Sequence, residues 1–198
     1  MYGKRENIQL YLMDGNVNGR IKCTLANWTG LAFKIPRTLY QKYSRKDVCR
    51  ILNWTKDDSS TVYGYRIKYH TCPIFVTYEK SEDIANSTKY LDEFEKIAIN
   101  PTVYSNKIFS WMTRSKVKLE SSESQELIHA RENGLKVLLF LKKSDGEGSD
   151  FYYMGEVTPV AWKETTILND KKESLPIMNF KLELKQEVRK DIFDYFTA

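Results

Sequence analysis

Arg45, Lys46 and Arg50 fall within seven residues of one another and are closed off by Trp54, in the run Ser44-Arg-Lys-Asp-Val-Cys-Arg-Ile-Leu-Asn-Trp54. Cations beside an aromatic ring are what a protein needs to hold a phosphate backbone and touch a base. Arg66, Arg114 and Lys116 extend that set. The run Ser110-Trp-Met-Thr-Arg-Ser-Lys116 mixes an aromatic, hydroxyls and two cations, the mixture that backbone contacts use. Trp54 serves either a sugar contact or the core, and the core reading is the better one.

Other chemistries lack their residues. The two histidines, His70 and His129, stand in no catalytic or metal-binding spacing. A phosphate-cradling loop ending in Gly-Lys-Ser/Thr and a nucleophile elbow are both missing. Asp145-Gly-Glu-Gly-Ser-Asp150 imitates a calcium loop but lacks the terminal glutamate, so it reads as a solvated turn. Carboxylates cluster at Glu82/Asp83 and at Asp92/Glu93/Glu95. They could hold a metal for phosphodiester cleavage, although solvated acidic loops are the simpler reading. Cys23, Cys49 and Cys72 are odd in number and far apart, as inert thiols of a reducing cytoplasm would be. No cofactor or metal is expected, and no enzyme.

Charge is uneven along the chain. Residues 1–50 carry a net +7, residues 51–120 a net +1, and residues 121–198 a net −3. A basic front and an acidic back point to one face turned toward a polyanion, or simply to an uneven solvated surface. No apolar run approaches the roughly 20 residues of a membrane span, and the N-terminus is not a signal peptide. A cytoplasmic location is expected.

The elements that must position these residues are mostly strands. Ile8–Met13 and Arg20–Ala26 read as a hairpin around Asp14-Gly15-Asn16. A short helical pattern covers Thr38–Tyr43, and Ser44 is a good N-cap for a helix over Arg45–Leu52. Strands follow at Thr61–Lys68 and Pro73–Tyr78. Residues 79–105 read as polar and irregular with a helical piece near Tyr90–Ile97, and long loops of that kind often bind. Ser122 opens a helix that stops at Asn133-Gly134, and Lys136–Lys142 is a continuous apolar strand. Further strands are expected at Phe151–Val157, Val160–Ile167 and Ile177–Leu184, and a last helix at 186–196. The sum is a strand-rich α+β chain, a twisted or barrel-like antiparallel sheet with peripheral helices.

From about Tyr40 onward the sequence resembles an uncharacterised domain at the C-terminus of some superfamily-two DNA helicases that also carry a phospholipase-D-like nuclease. The resemblance rests on six stretches: Tyr43-Ser-Arg-Lys-Asp-Val-Cys-Arg-Ile-Leu-Asn-Trp54, Val62-Tyr-Gly-Tyr-Arg66, Thr71-Cys-Pro-Ile-Phe-Val-Thr-Tyr78, Ser87-Thr-Lys-Tyr90, Phe109-Ser-Trp-Met-Thr-Arg-Ser115 and Gly148-Ser-Asp-Phe-Tyr-Tyr-Met-Gly-Glu156. Such helicases include modification-dependent restriction enzymes. The resemblance implies an SRA/PUA-like reader of modified cytosine in double-stranded DNA, with a separately encoded helicase or nuclease as a further partner. Residues 1–38 are similar to the segment that precedes the catalytic domain of some GIY-YIG nucleases, on Ile8-Gln-Leu-Tyr-Leu-Met-Asp-Gly15 and Gly19-Arg-Ile-Lys-Cys-Thr-Leu-Ala-Asn-Trp-Thr-Gly30. They read as a β-hairpin appendage to a reading domain at 39–198.

A reader of a methyl group on cytosine works best on a base swung out of the stack. Its pocket needs aromatic walls, an acceptor for the cytosine amino group, and a small apolar space. Tyr63, Tyr65, Tyr78, Tyr90 and Trp111 are the candidate walls, and Asp83 and Asp92 the candidate acceptors.

Overall fold

The computed structural model describes residues 12–17, 20–24, 35–36, 38–54, 64–79, 92–100, 103–169 and 171–198. The chain divides into two units, Met1–Phe33 and Lys34–Ala198. In the first, β1 (Leu12–Val17) pairs antiparallel with β2 (Arg20–Thr24). The register sets Leu12 against Thr24 and Val17 against Arg20, so Asp14-Gly15-Asn16 lies inside β1 rather than at the turn. A register shift between Asp14 and Val17 absorbs the glycine as a bulge.

The second unit is built on one mixed sheet. Its strands are β3 (Lys42–Ser44), β4 (Thr71–Thr77), β5 (Glu93–Asn100), β6 (Val103–Met112), β7 (Lys136–Lys142), β8 (Asp150–Leu168) and β9 (Ser174–Leu184). Their order is β4-β7-β8-β9-β6-β5, with β3 paired to the first residues of β8. The sheet curls into a half-barrel, and α1 (Arg45–Ile51), α2 (Ser122–Ile128) and α3 (Lys190–Thr197) lie at its periphery. β4 and β7 run parallel, which departs from the antiparallel expectation. No described helix is long and apolar enough to cross a membrane.

Side chains of a strand alternate between faces. Cys72, Ile74 and Val76 of β4 and Val137, Leu139 and Leu141 of β7 therefore share one face. Leu127 of α2, Ala130 just after it, and Ile192 and Phe196 of α3 pack there. Phe75, Leu138, Phe140, Phe151 and Tyr153 form a second core on the other face, under Val48, Cys49, Leu52 and Trp54. Burial on both faces explains why Val137–Leu141 is unbroken apolar sequence. Each fully buried ring, such as Phe140 and Phe151, contributes roughly 1.5–3 kcal/mol.

α1 forms where Ser44 predicts it. The Ser44 hydroxyl accepts from the Asp47 backbone N–H at 3.1 Å, and the Asp47 carboxylate accepts from the Ser44 N–H at 3.3 Å, a reciprocal capping box. The Ser44 hydroxyl also donates to Asp47 Oδ2 at 2.6 Å, and this bond first, helped by the Ser44 backbone N–H, holds the Asp47 carboxyl below the usual carboxylate range.

Several expectations are corrected. Residues 93–100 and 103–105, part of the stretch 79–105 expected to be irregular with a helical piece near Tyr90–Ile97, belong to the hairpin β5–β6. Its apolar residues Phe94, Phe109 and Trp111 serve the core. The two strands expected at 151–157 and 160–167 are one strand, β8, carrying a register shift between Pro159 and Ala161. The helical pattern at 38–43 gives way to a turn and to β3, because the chain there pairs with β8.

Candidate nucleic-acid interface

Thr71 pairs with Lys136 and Val137 with Val157, so β4 and β7 both begin at one end of the sheet. β8 runs on past that end from Thr158, paired with β9. Cations and exposed rings collect there.

The first group is the tip of the turn that enters β4. Lys68 and Thr71 exchange backbone hydrogen bonds at 2.9 and 3.0 Å, closing a two-residue turn through Tyr69 and His70. Both central residues are left-handed, with φ of 51° and 55°. Such a turn favours Asn-Gly, and a side chain in that region costs roughly 1–2 kcal/mol. The strained pair is nevertheless exposed, Tyr69 by 40%. The Lys68 ammonium lies 5.0 Å from the Tyr69 ring centroid. The turn is anchored from below: the Trp54 indole N–H donates to Thr71 Oγ1 at 3.2 Å, and that hydroxyl donates to the Lys68 carbonyl at 2.6 Å. Trp54 is thus a core residue, and it brings the C-terminal end of α1, with Arg50, to the same end of the sheet.

The second group surrounds a hollow of about 210 Å³. It opens where β7 begins, between Arg131–Lys136 on one side and Glu156–Pro159 on the other. The Lys136 backbone N–H donates to the His70 carbonyl at 2.9 Å, which joins the hollow to the turn. Beyond it, β8 presents Val160 and Trp162, each more than two-fifths exposed.

The residues singled out from sequence divide between places. Lys46 and Arg50 are exposed on α1, Arg50 with Asp47 at 3.8 Å. Arg45 is half-buried, its guanidinium over the rings of Phe151 at 4.9 Å and Phe75 at 5.5 Å, so packing rather than phosphate holding is its evident role. Arg66 is exposed just before the turn. Arg114 and Lys116 follow β6, both exposed. They therefore leave the sheet beside Trp111, on the face opposite α1. The set does not line one cleft.

Tyr65 and Trp111 meet edge to face at 4.9 Å, but both are almost wholly buried. The Tyr65 hydroxyl donates to Glu123 Oε2 at 2.6 Å, the Arg114 guanidinium covers its ring at 5.1 Å, and Arg114 also pairs with Glu123. Burial, then the Glu123 carboxylate, pushes the Tyr65 phenol well above its ordinary value. Tyr78 is half-buried against Phe94 and Phe196. Asp92 accepts from the Met112 backbone N–H at 2.8 Å and so ties β5 to β6. As placed, these four take part in packing and strand pairing. Tyr63, Asp83 and Tyr90 lie outside the described residues, as does Glu82. Among the described residues no group of three or more His, Cys, Asp or Glu stands together to hold a metal.

Sequence reasoning missed Lys68, Tyr69, Arg131, Lys136 and Lys185. A usable signal existed in Arg66-Ile-Lys-Tyr-His70, a basic and aromatic run directly before an apolar strand. Lys136 and Lys185 carried none, because only the pairing of β7, β8 and β9 brings both ammonium groups onto Glu156.

The fold defines an α+β protein with a curled half-barrel sheet. Over residues 38–196 the sequence matches the family described as a domain of unknown function (DUF3427), and the chain belongs to that family. No curated protein matches it in sequence. Among solved structures it is similar to the MspJI restriction endonuclease in complex with a 27-mer oligonucleotide, at 11% identity and a TM-score of 0.43 over 62% of this chain and 32% of that one. It is similar to the sulfur binding and SRA domains of ScoMcrA complexed with phosphorothioated DNA, at 9% identity and a TM-score of 0.44 over 82% and 46% of the two chains. It is also similar to the DNA modification-dependent restriction endonuclease AspBHI, at 10% identity and a TM-score of 0.44 over 64% of each chain. The chain thus spans less than two thirds of each of these three.

Proposed function

We propose that this chain is a non-catalytic double-stranded DNA-binding module that recognises modified cytosine by flipping the base. One observation carries the reading: at a single end of the sheet, an open hollow lined by Arg131 and Lys136 adjoins the turn that bears Lys68 and the exposed ring of Tyr69. The sequence resemblance of residues 40–198 supplies the modified base as the target. Cations there, with Lys46, Arg50, Arg66, Arg114 and Lys116 farther round, hold phosphates. Each contact that releases a counterion steepens the dependence on salt. Flipping costs a few kcal/mol, returned by stacking and edge hydrogen bonds. Of the candidates for the base's seat, Tyr65, Tyr78, Asp92 and Trp111 are packed into the framework, and Tyr63, Asp83 and Tyr90 are those that the sequence alone proposes. Residues 1–38 serve as an appendage that adds phosphate contacts.

The test is a comparison of duplexes with and without 5-methylcytosine at several salt concentrations, with 2-aminopurine fluorescence beside the modified position reporting flipping. Tighter binding and brighter emission on the modified duplex are expected. Equal affinity for both would remove modified-base recognition. Plasmid incubated with magnesium or manganese is expected to stay intact, and nicking would make the chain a nuclease.

A second reading draws on Val160, Trp162 and Leu168, which β8 leaves exposed. An apolar surface of this kind suits docking on a helicase or nuclease partner. Co-purification with such a partner, without affinity for DNA, would favour it.

A further inference from the structure

Glu156 lies at the hollow beside the start of β7, with only 15% of its side chain exposed. Its two oxygens are taken by different ammonium groups. Lys136 Nζ stands 2.9 Å from Oε1 and Lys185 Nζ 2.7 Å from Oε2. Lys136 opens β7, Glu156 lies within β8 and Lys185 follows β9, so three neighbouring strands aim charge at one point. Arg131, from the turn after α2, lines the same hollow. Two cations thus hold one carboxylate, and a third lines the hollow beside it.

A salt bridge made only for stability needs one cation, and at a surface it contributes roughly 0–1 kcal/mol. Two ammonium groups bracketing the two oxygens of one carboxylate make a cradle for any anion with two such oxygens. A phosphate group offers the same pair of anionic acceptor oxygens on one central atom. The hollow is smaller than the roughly 300–1,000 Å³ of a pocket for a drug-sized molecule, which suits a single phosphate.

We infer that this hollow is a phosphate seat, in which Lys136, Lys185 and Arg131 take a phosphate group and Glu156 is the built-in counter-ion that the phosphate displaces. The phosphate belongs to a DNA backbone or to a free phosphate compound. The first source rests on the function proposed above, and the second does not.

The full chain is melted in sodium phosphate, in sodium chloride of equal ionic strength, and with a nucleoside 5′-monophosphate. Separately, a labelled duplex without terminal phosphates is titrated against wild type, Glu156→Gln and the double variant Lys136→Ala/Lys185→Ala across a salt series. Phosphate, and not chloride, is expected to raise the melting temperature of wild type and not that of the double variant. Glu156→Gln is expected to bind duplex roughly three- to tenfold tighter, because a competing carboxylate is gone. The double variant is expected to lower the slope of log affinity against log salt by roughly 1.8. If phosphate stabilises the wild type and no duplex is bound, the seat stands and the DNA-reading function falls. If duplex is bound with neither variant changing affinity or slope, and phosphate gives no stabilisation beyond chloride, the seat falls and the DNA-reading function stands. Neither effect appearing would overturn both.

Discussion

The Tyr65 hydroxyl donates to Glu123 at 2.6 Å across 58 residues of chain, and this bond fastens α2 to the sheet. Arg114 lies over the same ring and pairs with the same carboxylate, so three side chains from three segments close one corner. The turn that follows α2 supplies Arg131 and Leu135 to the hollow. Anything that loosens α2 therefore reaches the basic end of the sheet. Tyr65→Phe keeps the ring and removes the donor. The expected loss is about 1–1.5 kcal/mol, which lowers the melting temperature by roughly 2–6 °C in a domain of this size. Calorimetry on the pair of proteins checks this, and an unchanged melting temperature would show that the bond is of no energetic consequence.

Arg45 and Arg50 lie one turn and a half apart on α1 yet have opposite expected effects. The Arg45 guanidinium covers two buried rings, so Arg45→Ala removes packing and cation–π contact. It should destabilise by about 1–2 kcal/mol and leave the salt dependence of DNA binding alone. Arg50 is 70% exposed, and Arg50→Ala should change stability by less than about 0.5 kcal/mol. It should reduce the salt slope by roughly 0.9. Urea melts and a salt series on each variant separate the two roles. The same outcome for both residues would count against this division.

The residues that carry local information were legible in the sequence. Ser44 caps α1 because its hydroxyl and Asp47 are three residues apart, and Lys136–Lys142 forms an interior strand because both of its faces are buried. β5–β6 was not legible. Its strands hold Glu93, Glu95, Lys107 and Ser110, and Glu95 and Lys107 pair with Lys181 and Glu183 of the distant strand β9, so charged residues sit on the sheet and the period-two signal is diluted. Trp111 looked like a reader's ring because it sits among cations, but its strand turns it toward Phe180. Composition near a ring does not say which face of a strand the ring occupies.

Tyr65, Tyr78 and Tyr153 all have phenols raised by burial, Tyr153 to about 12. In the unfolded chain each titrates near 10. Above that pH the unfolded state binds fewer protons than the folded one, so stability should fall from about pH 10 upward. On the acid side, Asp47 and Glu156 are held below their ordinary values, by the Ser44 bonds and by the two lysines. The stability they supply is present above the unfolded carboxyl pKa and should be lost as pH falls below about 4–4.5. Denaturant midpoints from pH 3 to pH 11 test both limbs. Tyr153→Phe should flatten the alkaline limb, and an alkaline limb that stays equally steep would mean that other groups cause the loss.

The turn at Tyr69 and His70 sets stability against exposure. Both residues hold left-handed backbone that asparagine and glycine adopt more readily, and neither ring is buried. Replacing them with Tyr69→Asn and His70→Gly should relieve strain and stabilise the chain by about 1 kcal/mol. The exposed ring beside Lys68 would be gone, and with it a stacking surface worth roughly 1–3 kcal/mol wherever a base lies against it. The variant should therefore melt higher and bind duplex roughly 5- to 150-fold more weakly, with Lys68 and the salt slope unchanged. The turn itself requires left-handed backbone at both positions, and what the contact-surface reading accounts for is an aromatic side chain there in place of Asn-Gly. A variant that melts higher and keeps full affinity would place the DNA contacts elsewhere on the sheet, leaving Tyr69 as a tolerated defect.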